Sequence, residues 1–297
     1  MKNKFLSIAA IALLSVAFSA CSDDDEVKQV LITTSRSTGQ FFEIDPVTGN
    51  TKPLFKITYN GETLFDIRSV TYHEGENKYY VSTHSYSNLG DGDRLGQLYS
   101  VDPATKVATM INDNDGKVNP SDANQSYSVW DAIVSWAVDA DDSLIAVGDF
   151  NGDGNGFVKF STDGKRGNGT VNANVCCGLG MVYDANTKTA ILGNANNQDD
   201  AEVIIETFDV TTGESLERLS ITDFEGFPAS FNELLDNSWL PMKGLARDAK
   251  NPSAKIYGLL FNESDESRKT YFVEVDITNS VVKYISTIGV SNGDQYN

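Results

Sequence analysis

Thiols and imidazoles are scarce in this chain. Its 297 residues hold three cysteines and two histidines. Cys21 closes an apolar run, so only Cys176 and Cys177 remain further on. That count excludes a disulfide framework and a cysteine-rich metal site. His73 and His84 fall at opposite ends of one expected hairpin, roughly 20 Å apart by strand rise, and cannot share a site. No nucleophile elbow, phosphate loop or zinc motif is present. Positive charge is also short: 23 Lys and Arg stand against 42 Asp and Glu, a net charge of −19. Such a surface repels phosphate backbones, so nucleic acid is not an expected partner, whereas cations or a basic partner would be attracted. Long apolar runs are missing too. The stretch FLSIAAIALLSVAF, Phe5 to Phe18, is too short to span a bilayer as a helix, which needs about 20 residues.

That stretch follows the basic start Met-Lys-Asn-Lys and leads into FSACSDDDE, Phe18 to Glu26. A basic start, a short apolar core and small residues before a cut describe a secretory signal peptide, here residues 1–20. Ser19-Ala20-Cys21 resembles the lipobox of bacterial lipoproteins, with Phe18 in place of the commoner leucine. The resemblance implies cleavage before Cys21 and a lipid on its sulfur. Several acyl chains on one cysteine anchor stably where one chain binds only marginally. The run Asp23 to Glu26 reads as a solvated tether, residues 21–27. It also resembles the acidic signal that sends some Gram-negative lipoproteins to the outer face of the outer membrane. Removing residues 1–20 takes away Lys2 and Lys4 and turns the charge from −19 to −21.

Residues 28–297 carry a repeat. An apolar–aromatic strand ending in Asp and a turn recurs as FFEIDPVTGN (41–50), LYSVDPATKV (98–107), FVKFSTDGKR (157–166), IETFDVTTGE (205–214) and FVEVDITNSV (272–281). Alternation followed by Pro, Gly, Asn or Asp marks a strand entering a hairpin. The third copy has Ser161 where the others have Asp. A second phrase precedes it in four units: DIRSVTYHE (66–74), AIVSWAVDA (132–140), GLGMVYDA (178–185) and MKGLARDA (242–249). A further strand follows each of these, giving four strands per unit, joined by hairpins. Five such units read as an all-β fold, a five-bladed β-propeller of four-stranded antiparallel blades. The second phrase holds Ser69, Ser135, Gly180 and Gly244 at equivalent places, small residues suited to an inner strand crowded at the axis. The first unit opens at KQVLITTS, its second strand. Either the first blade has three strands, or the sequence stops short of a strand that would complete it. The pattern resembles bacterial surface lipoproteins with propeller domains, whose motifs are structural and name no activity.

Four places carry candidate chemistry. DFNGDGNG, Asp149 to Gly156, alternates Asp149, Asn151, Asp153 and Asn155, with Gly154 at the sixth place. That spacing gathers oxygen ligands for Ca²⁺ and resembles the Asp-rich calcium loops of extracellular repeats, although Phe160 stands where such a loop has its bidentate acid. The alternative is a polar hairpin turn. Cys176-Cys177 are either two thiols or a strained ring of the kind some quinone-dependent propeller enzymes hold against their cofactor. Asp66 and Asp131 each open an inner strand, where some five-bladed glycoside hydrolases place acids. Such chemistry needs two carboxylates at fixed spacing.

Finally, alignment of the inner strands sets Asp66, Arg68, Trp130, Asp131, Cys177 and Lys243 around one end of the axis. Basic residues there are unexpected in so acidic a chain. Val134 and Leu179 fill the place of Arg68 and Lys243 in the other two units. Phe227, Phe231 and Trp239 lie in the longest loop and either cover that end or pack the loop onto the blades. Convergent polar groups in a concave site are the default binding hypothesis. The expected role is therefore a cell-surface binding module for a small ligand, glycan or partner protein, perched beside an uptake system. An enzyme, either a carboxylate-based glycosidase or lyase or a quinone-dependent dehydrogenase, is the alternative.

Overall fold

The computed structural model describes residues 31–35, 38–65, 67–84, 96–111, 132–150, 154–164, 166–171, 180–194, 202–233, 235, 240–247, 255–261 and 269–290. They form five sheets arranged as a five-bladed propeller. The first blade is β1 (Leu31–Thr34), β2 (Gln40–Ile44) and β3 (Thr51–Lys56). A small hairpin, β4 (Thr58–Tyr59) and β5 (Glu62–Thr63), leads to the second blade: β6 (Ile67–His73), β7 (Lys78–His84), β8 (Gly96–Val101) and β9 (Ala108–Met110). The third blade is β10 (Ala132–Val138), β11 (Leu144–Phe150), β12 (Gly154–Phe160) and β13 (Arg166–Val171). The fourth is β14 (Gly180–Asp184), β15 (Thr189–Asn194), β16 (Val203–Asp209) and β17 (Ser215–Ile221). The fifth begins with β18 (Asp223–Glu225) and the short helix α1 (Ala229–Asn232), then runs through β19 (Met242–Ala246), β20 (Ile256–Phe261), β21 (Lys269–Asp276) and β22 (Val281–Val290).

Side-chain alternation explains how these sheets stack. Successive strand residues point to opposite faces, and every blade is apolar on both. Tyr79 and Val81 pack toward the first blade, with Phe41 and Ile57. Tyr80, between them in sequence, packs toward the third, with Trp136 and Phe160. Ile145 and Val147 meet Met181, Leu192 and Phe208 of the fourth blade. Val182 and Ile205 meet Met242, Tyr271 and Val273 of the fifth. Ile44 and Leu31 of the first meet Leu259, Phe272 and Ile288 of the fifth. Five clusters fill five seams, and the last closes the ring. At 25 cal/mol per Å² of apolar area, such seams are the main source of stability in a sheet stack.

The recurring Asp is a turn device. Asp45 Oδ1 accepts from the N–H groups of Val47 and Thr48. Asp102 accepts likewise from Ala104 and Thr105, and Asp209 from Thr211 and Thr212. The left-handed place that follows is Gly49 (φ 68°), Lys106 (φ 63°) or Gly213 (φ 75°). Ser161, where the Asp is missing, bonds instead through its hydroxyl to Asp163.

Two features depart from five equal four-stranded blades. The first blade has three described strands in the order β1-β2-β3, with β1 innermost. The fifth sheet gains β18, which pairs parallel to the outer strand β22. A related parallel bridge joins Thr58 of β4 to Val107 beside β9. In both cases the chain entering a blade lies along the outer edge of that blade. Covering an edge blocks its unpaired N–H and C=O groups from other chains.

Candidate ligand site on the axis

The four inner strands β6, β10, β14 and β19 stand next to one another around the axis. Ser69, Ser135, Gly180 and Gly244 all line one cavity there, as their shared place in the repeat predicts. Crowding explains the small side chains. A Cβ on Gly180 would come within 2.6 Å of the Gly244 carbonyl carbon and 2.5 Å of the Leu245 nitrogen. The cavity has a volume of about 80 Å³. A cavity of roughly 10–15 Å³ holds a single water, so this one has room for several.

Arg68 and Lys243 both line this cavity, so the structure brings together the two cations that the aligned strands place at the axis. Each sits at a β-bulge. In the second blade Ile67 pairs with Thr83 and Ser69 with Ser82, leaving Arg68 as the extra residue. In the fifth, Met242 pairs with Leu260 and Gly244 with Leu259, leaving Lys243. Val134 is the extra residue of the third blade. A bulge re-aims a side chain and bends the strand, and bulges concentrate beside functional sites. The Lys243 ammonium lies 4.6 Å from the centre of the Phe261 ring, a cation–π contact that holds the charge in place.

Asp66, Trp130, Asp131 and Cys177 lie outside the described residues, as do Cys21, Cys176 and Trp239. In the calcium-like motif, Asn151 and Asp153 lie outside them as well. The backbone of the rest is a hairpin: Asp149 of β11 pairs with Asn155 of β12, and Phe150 with Gly154. Among the described residues no group of three or more His, Cys, Asp or Glu could hold a metal. His73 pairs with Lys78 at one end of the β6–β7 ladder, and His84 follows Thr83 at the other end, where it pairs with Gly96 of β8. The His73 ring is buried, with Nε2 donating to the Asp142 carbonyl at 2.9 Å and Nδ1 accepting from the Glu76 N–H. It ties the second blade to the third.

The repeat did not reveal the other wall of the cavity. Leu31, Ile32 and Thr33 of β1 line it, with Tyr257, Leu259 and Phe272 of the fifth blade. In four blades an inner strand would screen such second-strand residues from the axis. In the first blade β1 is itself innermost, so they are uncovered. The signal was KQVLITTS opening the first unit as a second strand. The Tyr257 ring stacks on Phe272 at 5.6 Å and 15°. Burial raises the Tyr257 phenol above its ordinary pKa, which keeps it a hydrogen-bond donor.

Phe227 and Phe231 do not cover the axis. They are buried against the fifth blade, stacked on each other at 4.1 Å, with Tyr271 5.0 Å from Phe231. The one described loop helix, α1, buries Phe231 alone among its residues.

No protein-family model matches the chain, and no curated protein does. Solved structures do match in fold. A GH43 β-1,3-galactosidase is 9% identical with a TM-score of 0.54; the match covers 87% of this chain and 57% of that one. The exo-β-1,3-galactanase of Phanerochaete chrysosporium, crystallised with β-1,3-galactotriose, is 10% identical with a TM-score of 0.52, covering 88% of this chain and 59% of that one. An endo-1,4-β-xylanase of Bacteroides thetaiotaomicron is 12% identical at a TM-score of 0.49, covering 87% and 93%. The chain thus spans somewhat over half of the first two. The first two likenesses support a propeller and nothing finer. Among the described residues no helix is long and apolar enough to cross a membrane.

Proposed function

We propose that this chain is a lipid-anchored propeller of the outer membrane, displayed at the cell surface, that binds the terminal sugar of a glycan in its axial cavity. The observation that carries this reading is the cavity itself: small residues from four blades open it, and Arg68 and Lys243 line it. Ligand sites favour concave places where a few polar groups converge on apolar walls. Structures with TM-scores above 0.5 include one named a β-1,3-galactosidase and one named an exo-β-1,3-galactanase, which motivates a glycan over other small ligands. Glycoside hydrolysis, the alternative, needs two carboxylates at fixed spacing, for which Asp66 and Asp131 are the sequence candidates. Anchoring through Cys21 and calcium binding by Asp149, Asn151, Asp153 and Asn155 complete the proposal. The sequence motifs support both.

The test is calorimetric titration of the purified protein with β-linked oligosaccharides, repeated with Ser135→Phe. The larger side chain fills the axis and should abolish binding while a cooperative thermal transition persists. Binding that survives in a folded Ser135→Phe protein moves the ligand to another face.

A further inference from the structure

Strand β1 has an open edge. It pairs on one side only, with β2, and no described strand lies on the other. In other blades an inner strand takes that side: β6 covers β7, and β10 covers β11. The phase of the β1–β2 ladder follows from one bond, the Ser35 N–H donating to the Gln40 carbonyl at 2.8 Å. In an antiparallel ladder, residues at alternate positions exchange both bonds with the partner strand. Leu31 and Thr33 therefore turn their N–H and C=O groups toward β2, and Ile32 and Thr34 turn theirs toward the axis. Among the described residues neither Ile32 nor Thr34 has a hydrogen-bond partner on that side. Ile32 lines the axial cavity and is partly exposed. Thr34 is fully buried, and its hydroxyl has no partner either. Backbone groups away from bulk water are nearly always paired, so this edge calls for an occupant.

We infer that the Ile32 edge holds two adjacent hydroxyls of the bound sugar. The inference rests on the glycan reading above and adds which hydroxyls are recognised, and by what. The N–H and C=O of one edge residue point the same way, a donor beside an acceptor. Two adjacent ring hydroxyls also stand side by side, and each can donate or accept. One accepts from the Ile32 N–H while its neighbour donates to the Ile32 carbonyl. A terminal sugar is tied to its chain through C1, so the adjacent pair that faces away from the chain is O3 and O4. A peptide strand would match the edge too, but it needs pockets for alternate side chains. This axis is crowded instead: Gly180 has no room even for a Cβ, which would meet the Leu245 nitrogen at 2.5 Å. The hydroxyls of Ser69 and Ser135 line the same cavity and suit a polyhydroxyl ligand.

The experiment titrates the purified protein with methyl β-galactopyranoside and its 2-deoxy, 3-deoxy and 4-deoxy forms, and with acetyl-trialanine amide as a strand probe. Loss of O3 or O4 should weaken binding at least tenfold, and loss of O2 much less. Ile32→Pro deletes the edge N–H and keeps the bonds to β2, the kind of place where an edge strand tolerates proline. It should weaken the parent sugar at least tenfold and erase the penalty for whichever of O3 and O4 accepts from that N–H, while thermal melting stays cooperative. Equal affinities across the deoxy series would overturn the inference and leave glycan binding standing. A folded Ile32→Pro protein that keeps both penalties would do the same. If Ile32→Pro does not fold, the deoxy series on the unaltered protein decides alone. Binding of the peptide without any sugar would remove the glycan reading and this inference together. Binding of β-linked oligosaccharides without any of the galactosides would overturn the inference alone.

Discussion

The ammonium of Lys188, in the first hairpin of the fourth blade, lies 2.5 Å from Oδ1 of Asp139 in the third. Asp139 is 4% exposed at its side chain. Its oxygens also accept from Lys159 at 3.1 Å, from the Tyr183 hydroxyl at 3.0 Å and from the Ala140 N–H at 2.7 Å. A buried carboxylate is tolerated only when its lone pairs are used, and here they are. Two of the donors, Lys188 and Tyr183, come from the neighbouring blade. This cluster is a polar rivet across a seam that is otherwise apolar.

Acid should loosen that rivet. Burial opposes the Asp139 charge, but bonds from Lys188, Ala140, Lys159 and Tyr183 outweigh it and hold the carboxyl below its ordinary pKa. Asp141 is lowered too, chiefly by Lys159 and Ser143. A carboxyl with a depressed folded-state pKa stabilises the fold above its unfolded value, about 3.9 for Asp, and that stability fades as pH falls through the folded value. Urea unfolding from pH 7 to pH 2 should therefore show stability falling below about pH 4. Asp139→Asn should lose about 2–3 kcal/mol at pH 7, the scale of charged hydrogen bonds, and should fall less steeply in acid. Curves that run parallel would mean that other carboxylates dominate.

A stabilising substitution follows from the repeat. Lys106 occupies a left-handed place, φ 63°, that is Gly49 and Gly213 in other copies. Its N–H donates to Asp102 O at 2.7 Å and its carbonyl accepts from Thr58 at 3.1 Å, so the backbone cannot relax. The left-handed region costs a side-chain-bearing residue roughly 1–2 kcal/mol, partly offset by the extra freedom that glycine has when unfolded. Lys106→Gly should gain about 0.5–1 kcal/mol. Thermal melting of Lys106→Gly beside Lys106→Ala checks it, and an equal gain in both would show that the lysine charge, not the backbone, is responsible.

The aromatic loop gives a test that separates packing from binding. Phe231 is fully buried in the fifth-blade core, so Phe231→Ala should cost about 3–5 kcal/mol. Phe231→Leu, which keeps most of the volume, should cost much less and leave sugar affinity at the axis unchanged. Lost affinity in a folded Phe231→Leu protein would return this loop to the binding site.

Much of this was legible in the residues, and particular residues show why the remainder was not. Strand alternation and the Asp turn are local, so the five units, their strand order and the axial row Ser69, Ser135, Gly180 and Gly244 could be read directly. The edge strands β4 and β18 could not, because they are two and three residues long and lack alternation. The bulges at Arg68 and Lys243 were invisible, since a bulge is a property of two paired strands and leaves no mark in one. The Asp139 rivet joins residues 44 and 49 positions apart on two blades, a pairing only the ring creates. Tyr257 and Thr33 reach the cavity because β1 is innermost, a consequence visible only once the blades are placed.

Closure of the ring depends on the seam between its first and last blades. Among the described residues these two blades share no sheet, so packing joins them. Gly49 lies at that seam: its carbonyl accepts from the Ser286 hydroxyl of β22 at 3.3 Å. A Cβ on Gly49 would overlap the Ser286 hydroxyl and come within 2.6 Å of its Cβ. Gly49→Ala therefore combines two penalties, the left-handed backbone at φ 68° and a collision that must push the blades apart. Gly61 separates them. It is also left-handed, φ 84°, yet nothing lies within 4 Å of the Cβ it would gain. Gly61→Ala should cost about 1 kcal/mol, the backbone term alone. Gly49→Ala should cost a further 1–3 kcal/mol, the range for forcing extra atoms into a packed contact. Urea unfolding of the two variants side by side measures the difference. Equal losses would show that the seam yields without cost and that closure rests on other contacts.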